Sequence, residues 1–170
     1  MKDHKEKHAE KTESPQRAGR PALGERSNSE TGDPLALRHL ALGWWSLLVF
    51  LVLGIALEVL HGFKAGLYLN VSAAPRRLMW TLAHAHGTLL ALVHIAFAVS
   101  LAHLPRWPTS SRRTASACLT AAGLLLPLGF FLGGLFIHGG DPGLGILLVP
   151  VAATLLLIAV FSVAVRCRRD

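Results

Sequence analysis

The sequence predicts an all-α membrane protein: four transmembrane helices in an antiparallel up-down bundle, preceded by a disordered N-terminal tail. Three observations predict it. The chain has 170 residues, of which 52% are hydrophobic and 16% charged, a balance too apolar for a soluble domain of this size. Its acidic residues crowd the ends, and the interval 39–165 keeps only Glu58 and Asp141. That interval also holds four apolar segments, at about 44–61, 79–103, 115–137 and 144–165. Each supplies roughly the 20 residues that cross a hydrocarbon core at ~1.5 Å per residue. Backbone groups in lipid must be satisfied within their own segment, so each segment is a helix.

The tail comes first. Residues 1–38 are rich in Lys, Glu, Ser, Pro and Gly and poor in large apolar side chains, so they cannot bury enough surface to offset ordering entropy. They lack the apolar core and small-residue cleavage site of a secretory signal. The first helix is therefore expected to act as the targeting signal, and residues 39–170 form the four-helix domain.

Orientation follows from the basic residues near the helix ends. Arg26, Arg38, Arg106, Arg112, Arg113, Arg166, Arg168 and Arg169 lie on one side, against Lys64, Arg76 and Arg77 on the other. The excess places both termini in the cytoplasm and the protein in the cell (inner) membrane. Trp44, Trp45, Trp80 and Trp107 fall near helix ends, where interfacial anchors belong. Cys118 and Cys167 then face the reducing side and imply no disulfide framework. The high pI of about 10.3 reflects topology and attraction to anionic headgroups, so no nucleic-acid partner is expected. The expected partners are the lipid bilayer and either other membrane proteins or further copies of the chain.

Polar residues acquire depths from this topology. The first helix ends in "EVLHGFK", setting Glu58 about one turn below the outer surface and His61 near it. The second enters from that surface with His84 and His86 at ~8 and ~11 Å. The third ends in "IHGGDPG", bringing His138 and Asp141 to the same side. An acid inside a membrane helix costs a few kcal/mol and normally faces a partner or water, which makes Glu58 the central member of this group. Glu58 and His61 share one helix face. Their Glu-x-x-His spacing is that of di-iron four-helix proteins, but such sites need two copies plus further glutamates, so a ferritin-like centre is not expected.

His84 and His86 diverge by ~200° around their helix and cannot easily serve one tetrahedral ion. They are expected to face different neighbours, with Gly87 admitting a close helix or a flat cofactor. His94 lies ~12 Å deeper than His86. Its expected partner is a carbonyl freed near Pro127 or Pro150. His39 and His103, near the inner interface, are expected to be structural. Gly129-x-x-x-Gly133 permits close helix contact, and Asp141-Pro142 suits a turn or a cap for the fourth helix.

Two function classes fit these features. In one, Glu58, His61, His84, His86, His138 and Asp141 hold a transition metal, or His84 or His86 ligates a b-type haem opposite His61 or His138, with Glu58 orienting a ligand imidazole. In the other, the same cluster is a proton-titratable network in a small transporter or accessory subunit with no cofactor. No Ser-His-Asp set, HExxH or phosphate-cradling glycine loop is present, so no catalytic motif supports an enzyme. No motif is specific enough to name a family.

Overall fold

The computed structural model describes residues 32–104 and 106–168. Four long helices account for most of them: α1 (Pro34–Gly62), α2 (Ala74–His103), α3 (Thr109–Leu135) and α4 (Leu148–Cys167). All four are long and apolar enough to cross a membrane. They run up and down in order, with α1 packed on α2, α2 on α3 and α3 on α4. This is the antiparallel four-helix membrane bundle expected from the apolar segments. We call the end with Asp33, the α2–α3 connection and Cys167 proximal, and the other end distal.

α1 departs from the expected boundary. Composition assigns residues 34–38 to the tail and starts the helix near 44, yet α1 begins at Pro34. The physical reason is a cap. The Asp33 carboxylate accepts a hydrogen bond from Leu35 N at 2.9 Å, and Pro34 sits where its missing N–H costs nothing. Asp33 also pairs with Arg112 at the start of α3, tying the two helix ends together. The rest of the expected tail, residues 1–31, lies outside the described residues. At 29 residues α1 spans ~43 Å, longer than a ~30 Å hydrocarbon core.

At the distal end α1 stops in a Schellman arrangement. Ala65 N donates to Leu60 O at 3.0 Å and Lys64 N to His61 O at 3.1 Å, with Lys64 in the left-handed region at φ 52°. A helical turn, Gly66–Leu69, then leads into α2. The α3–α4 connection closes on a two-residue turn, where His138 and Asp141 exchange backbone hydrogen bonds of 3.2 and 3.0 Å. Gly139 and Gly140 between them have φ of 61° and 93°, as a primed hairpin turn requires. Asp141 thus serves the turn and not a cap: α4 follows a 3₁₀ turn, Leu144–Leu147, and has no side-chain cap.

Lipid tails are as apolar as leucine, so helix pairing in a membrane depends on close backbone approach. The buried surfaces show this. Ala83, Ala91, Ala115, Ala122, Ala152 and Ala159 are each at most 1% exposed. On α4 the buried residues are Ala152 and Ala159 alone, seven apart on one stripe. Gly129 of the predicted small-residue pair faces the same helix hairpin, where an added Cβ would stand 3.1 Å from Gly145 O. Leu157 and Phe161 on α4 are each 70% exposed and face outward.

Replacing Ala152 or Ala159 with Leu should therefore destabilise the bundle by about 1–3 kcal/mol through overpacking. Leu157→Ala should stay within about 0.5 kcal/mol. Reversible unfolding in detergent measures both, and equal effects at the three positions would contradict this packing.

Candidate functional site

The distal residues come apart into three places. Glu58, His61 and His84 line one groove between α1 and α2, together with Tyr68 and Thr81. His61 lies edge-on to Tyr68 at 6.4 Å. His84 turns its Nδ1 to Phe50 O of α1 at 2.8 Å. It needs the small residue Gly54 there, because an added Cβ would stand 2.6 Å from the imidazole. His86 faces α3, with its ring 4.8 Å from that of Phe130 and its Nδ1 2.9 Å from Leu82 O on its own helix. The ~200° divergence expected of the two histidines is thus realised as contacts with different helices. His138 and Asp141 sit exposed at the α3–α4 turn, joined through backbone and not side chains. Phe50 fills the close approach at Gly87, so that glycine serves helix packing. Among the described residues, no three His, Cys, Asp or Glu side chains gather as a metal-binding group.

The buried polar contact lies at the proximal end. His39 of α1 is fully buried and His94 of α2 is 4% exposed. Their Nδ1 atoms are 2.7 Å apart and their rings are stacked at 5.0 Å. On its other edge, His39 Nε2 lies 2.7 Å from the Oγ of Ser116 on α3, a serine that is itself buried. Phe97 meets the His39 ring edge-on at 4.6 Å and shields it. Three helices therefore join through one hydrogen-bonded line, Ser116–His39–His94.

His94 does not use a carbonyl freed by Pro127 or Pro150. Its partner is instead His39, because α1 starts ten residues earlier than expected and brings that residue inside the helix, level with His94. Gly123 of α3 makes room for the far edge of the His94 ring: a Cβ there would stand 2.7 Å from Nε2. His94 and Ser116 both border a groove between α1 and α3 that also contains Arg38 and Arg113. His103, by contrast, bonds Val99 O on its own helix at 2.9 Å.

For the neutral pair, geometry ties the two ring tautomers together. Two Nδ1 atoms at hydrogen-bond distance share one proton, so one ring donates and the other accepts. If His94 donates, His39 Nε2 carries a hydrogen for Ser116 Oγ and His94 Nε2 is bare. If His39 donates, its Nε2 accepts from the serine hydroxyl and His94 Nε2 carries the hydrogen. The two states exchange when a proton enters at His94 Nε2, the shared proton passes from His94 Nδ1 to His39 Nδ1, the His39 Nε2 proton passes to Ser116 Oγ and the serine's own proton leaves, both ends opening on the same groove. Each satisfies every contact, which a buried polar group requires.

Truncating His39 to Ala should cost about 2–5 kcal/mol, since it opens a cavity and leaves two buried partners unsatisfied. A double-mutant cycle between His39→Ala and His94→Ala, read from unfolding in detergent, should give a coupling of about 0.5–3 kcal/mol. Additive effects would mean that the two rings do not interact.

No family model matches the chain, and no curated protein or solved structure matches it at a significant level.

Proposed function

We propose that this membrane protein is a proton-responsive transporter or accessory subunit without a cofactor, with the His39–His94–Ser116 line as its titrating element. The 2.7 Å approach of the two Nδ1 atoms carries this reading. One additional proton on the pair leaves an imidazolium donating to an imidazole, and that hydrogen bond is charge-assisted. A second additional proton puts hydrogen on both facing nitrogens. The 2.7 Å contact then becomes a clash of two N–H groups with like charge, and α1 must move from α2.

The element is a switch and not a conduit. Ser116 and His94, the two ends of the line, border the same groove, so a proton that travels along it does not cross the membrane. Arg38 on α1 and Arg113 on α3 are the other charged groups along that groove.

Acidification should therefore change the α1–α2 distance. Spin labels at Leu48→Cys and Leu92→Cys, in a Cys118→Ala and Cys167→Ser background, report it across a pH series. The distance should shift with pH in that background and stay fixed when His94→Gln is added, since Gln keeps a polar contact but does not titrate. The same pH profile in both proteins would remove the reading.

A second reading places a transition metal at the distal end. Its support is that Glu58, His61 and His84 line one groove, with imidazole and carboxylate donors suited to iron, copper or zinc. His84 would have to leave Phe50 O or bind through its other nitrogen. Elemental analysis of protein purified from metal-supplied cells decides it. Stoichiometric metal that is lost in Glu58→Gln supports this reading, and metal-free wild type ends it.

A further inference from the structure

We infer that the groove between α1 and α3 is a binding site for one anionic phospholipid, with its phosphate between Arg38 and Arg113 and one acyl chain along the apolar length of the groove. The groove has two parts of about 760 and 510 Å³. Ser46, Gly123 and Leu124 border both, so the two parts adjoin along the same helix pair.

Its polarity is graded along its length. The proximal part carries Arg38 and Arg113, then a neck containing Ser46, Thr120 and the edges of Ser116 and His94. Beyond the neck, Val49, Leu53, Pro127 and Leu128 make it apolar. That order, cationic then polar then apolar, is the inverse image of an anionic lipid read from headgroup to chain.

The charges call for an anion. Asp33 is committed to Arg112, and the other described acids, Glu58 and Asp141, lie at the distal end. Arg38 and Arg113 are exposed, and neither forms an ion pair or hydrogen bond with a described residue. Guanidinium groups match phosphate oxygens in geometry as well as charge.

Depth fits as well. From Arg38 to Leu53 is ~22 Å of helix, against ~20–22 Å for half of a bilayer including its headgroup layer. Trp44 and Trp45, 59% and 69% exposed, lie ~10 Å along α1 from Arg38, at the interfacial level that tryptophan favours. The phosphate then covers the neck, where His94 Nε2 has no protein hydrogen bond among the described residues. This inference does not depend on the proton-responsive reading, because the arginines and the groove stand whether or not the histidines titrate.

The test uses the full chain in neutral detergent, with retained lipid counted by native mass spectrometry after exposure to equimolar phosphatidylglycerol and phosphatidylcholine. One phosphatidylglycerol should be retained with a preference of roughly thirtyfold, about fivefold for each arginine. The preference should vanish in Arg38→Gln/Arg113→Gln and persist in Arg168→Gln. Leu124→Trp, which fills the junction of the two parts at an exposed position, should abolish retention with both arginines intact. Equal retention of the two lipids, or an undiminished preference in the double arginine variant, would overturn the site. Thermal protection by inorganic phosphate equal to that by phosphatidylglycerol would also overturn it, because phosphate has no chain to place in the groove.

Discussion

Two short hydrogen bonds join three helices of this protein. Within a bilayer, apolar side chains gain little by leaving lipid for one another, so they do not by themselves select a partner helix. A polar side chain in hydrocarbon does select one, because its unsatisfied alternative is costly. His39, His94 and Ser116 satisfy one another across α1, α2 and α3 at 2.7 Å each. That line sets the axial position of α1 against the central helices, and the other α1 contacts follow from it. His84 then reaches Phe50 O over Gly54, and Phe50 reaches the notch at Gly87.

The helices themselves are held by a different principle. Alanine stripes on α2, α3 and α4 bring backbones close enough for dispersion contacts to accumulate. α4 depends on this most, having no buried polar residue of its own. α1 and α4 therefore attach to the central pair in different ways. α4 is a packing element, whereas α1 is latched by a buried polar line. The lateral groove, Arg38 and Arg113, and the histidine line all lie at a single helix boundary.

Much of this fold is legible in the sequence. Four apolar runs separated by short polar connections leave little choice but an up-down bundle, and the 200° rule sends His84 and His86 to different neighbours. The buried histidine line is harder to read. Hydropathy rewards apolar windows, and residues 34–43 contain Arg38 and His39, so a window starts the helix too late and leaves His39 in the interface. The signal that corrects this is local: Asp33 followed by Pro34 is a helix start. Placing the start there puts His39 about a turn and a half into α1, in range of His94 on the antiparallel helix. The distal residues were legible in depth but not in direction. Shared depth brings six polar residues to one membrane face, but helix rotation and the α3–α4 turn distribute their side chains in different directions.

The central claim is that His39 and His94 share one proton through their Nδ1 atoms. The most direct measurement is the through-hydrogen-bond ¹⁵N–¹⁵N coupling in histidine-labelled protein reconstituted in lipid. The account predicts a resolved coupling between one protonated and one unprotonated Nδ1, with its loss in His39→Gln. Two histidines both protonated at Nε2, with no coupling between their Nδ1 atoms, would contradict it.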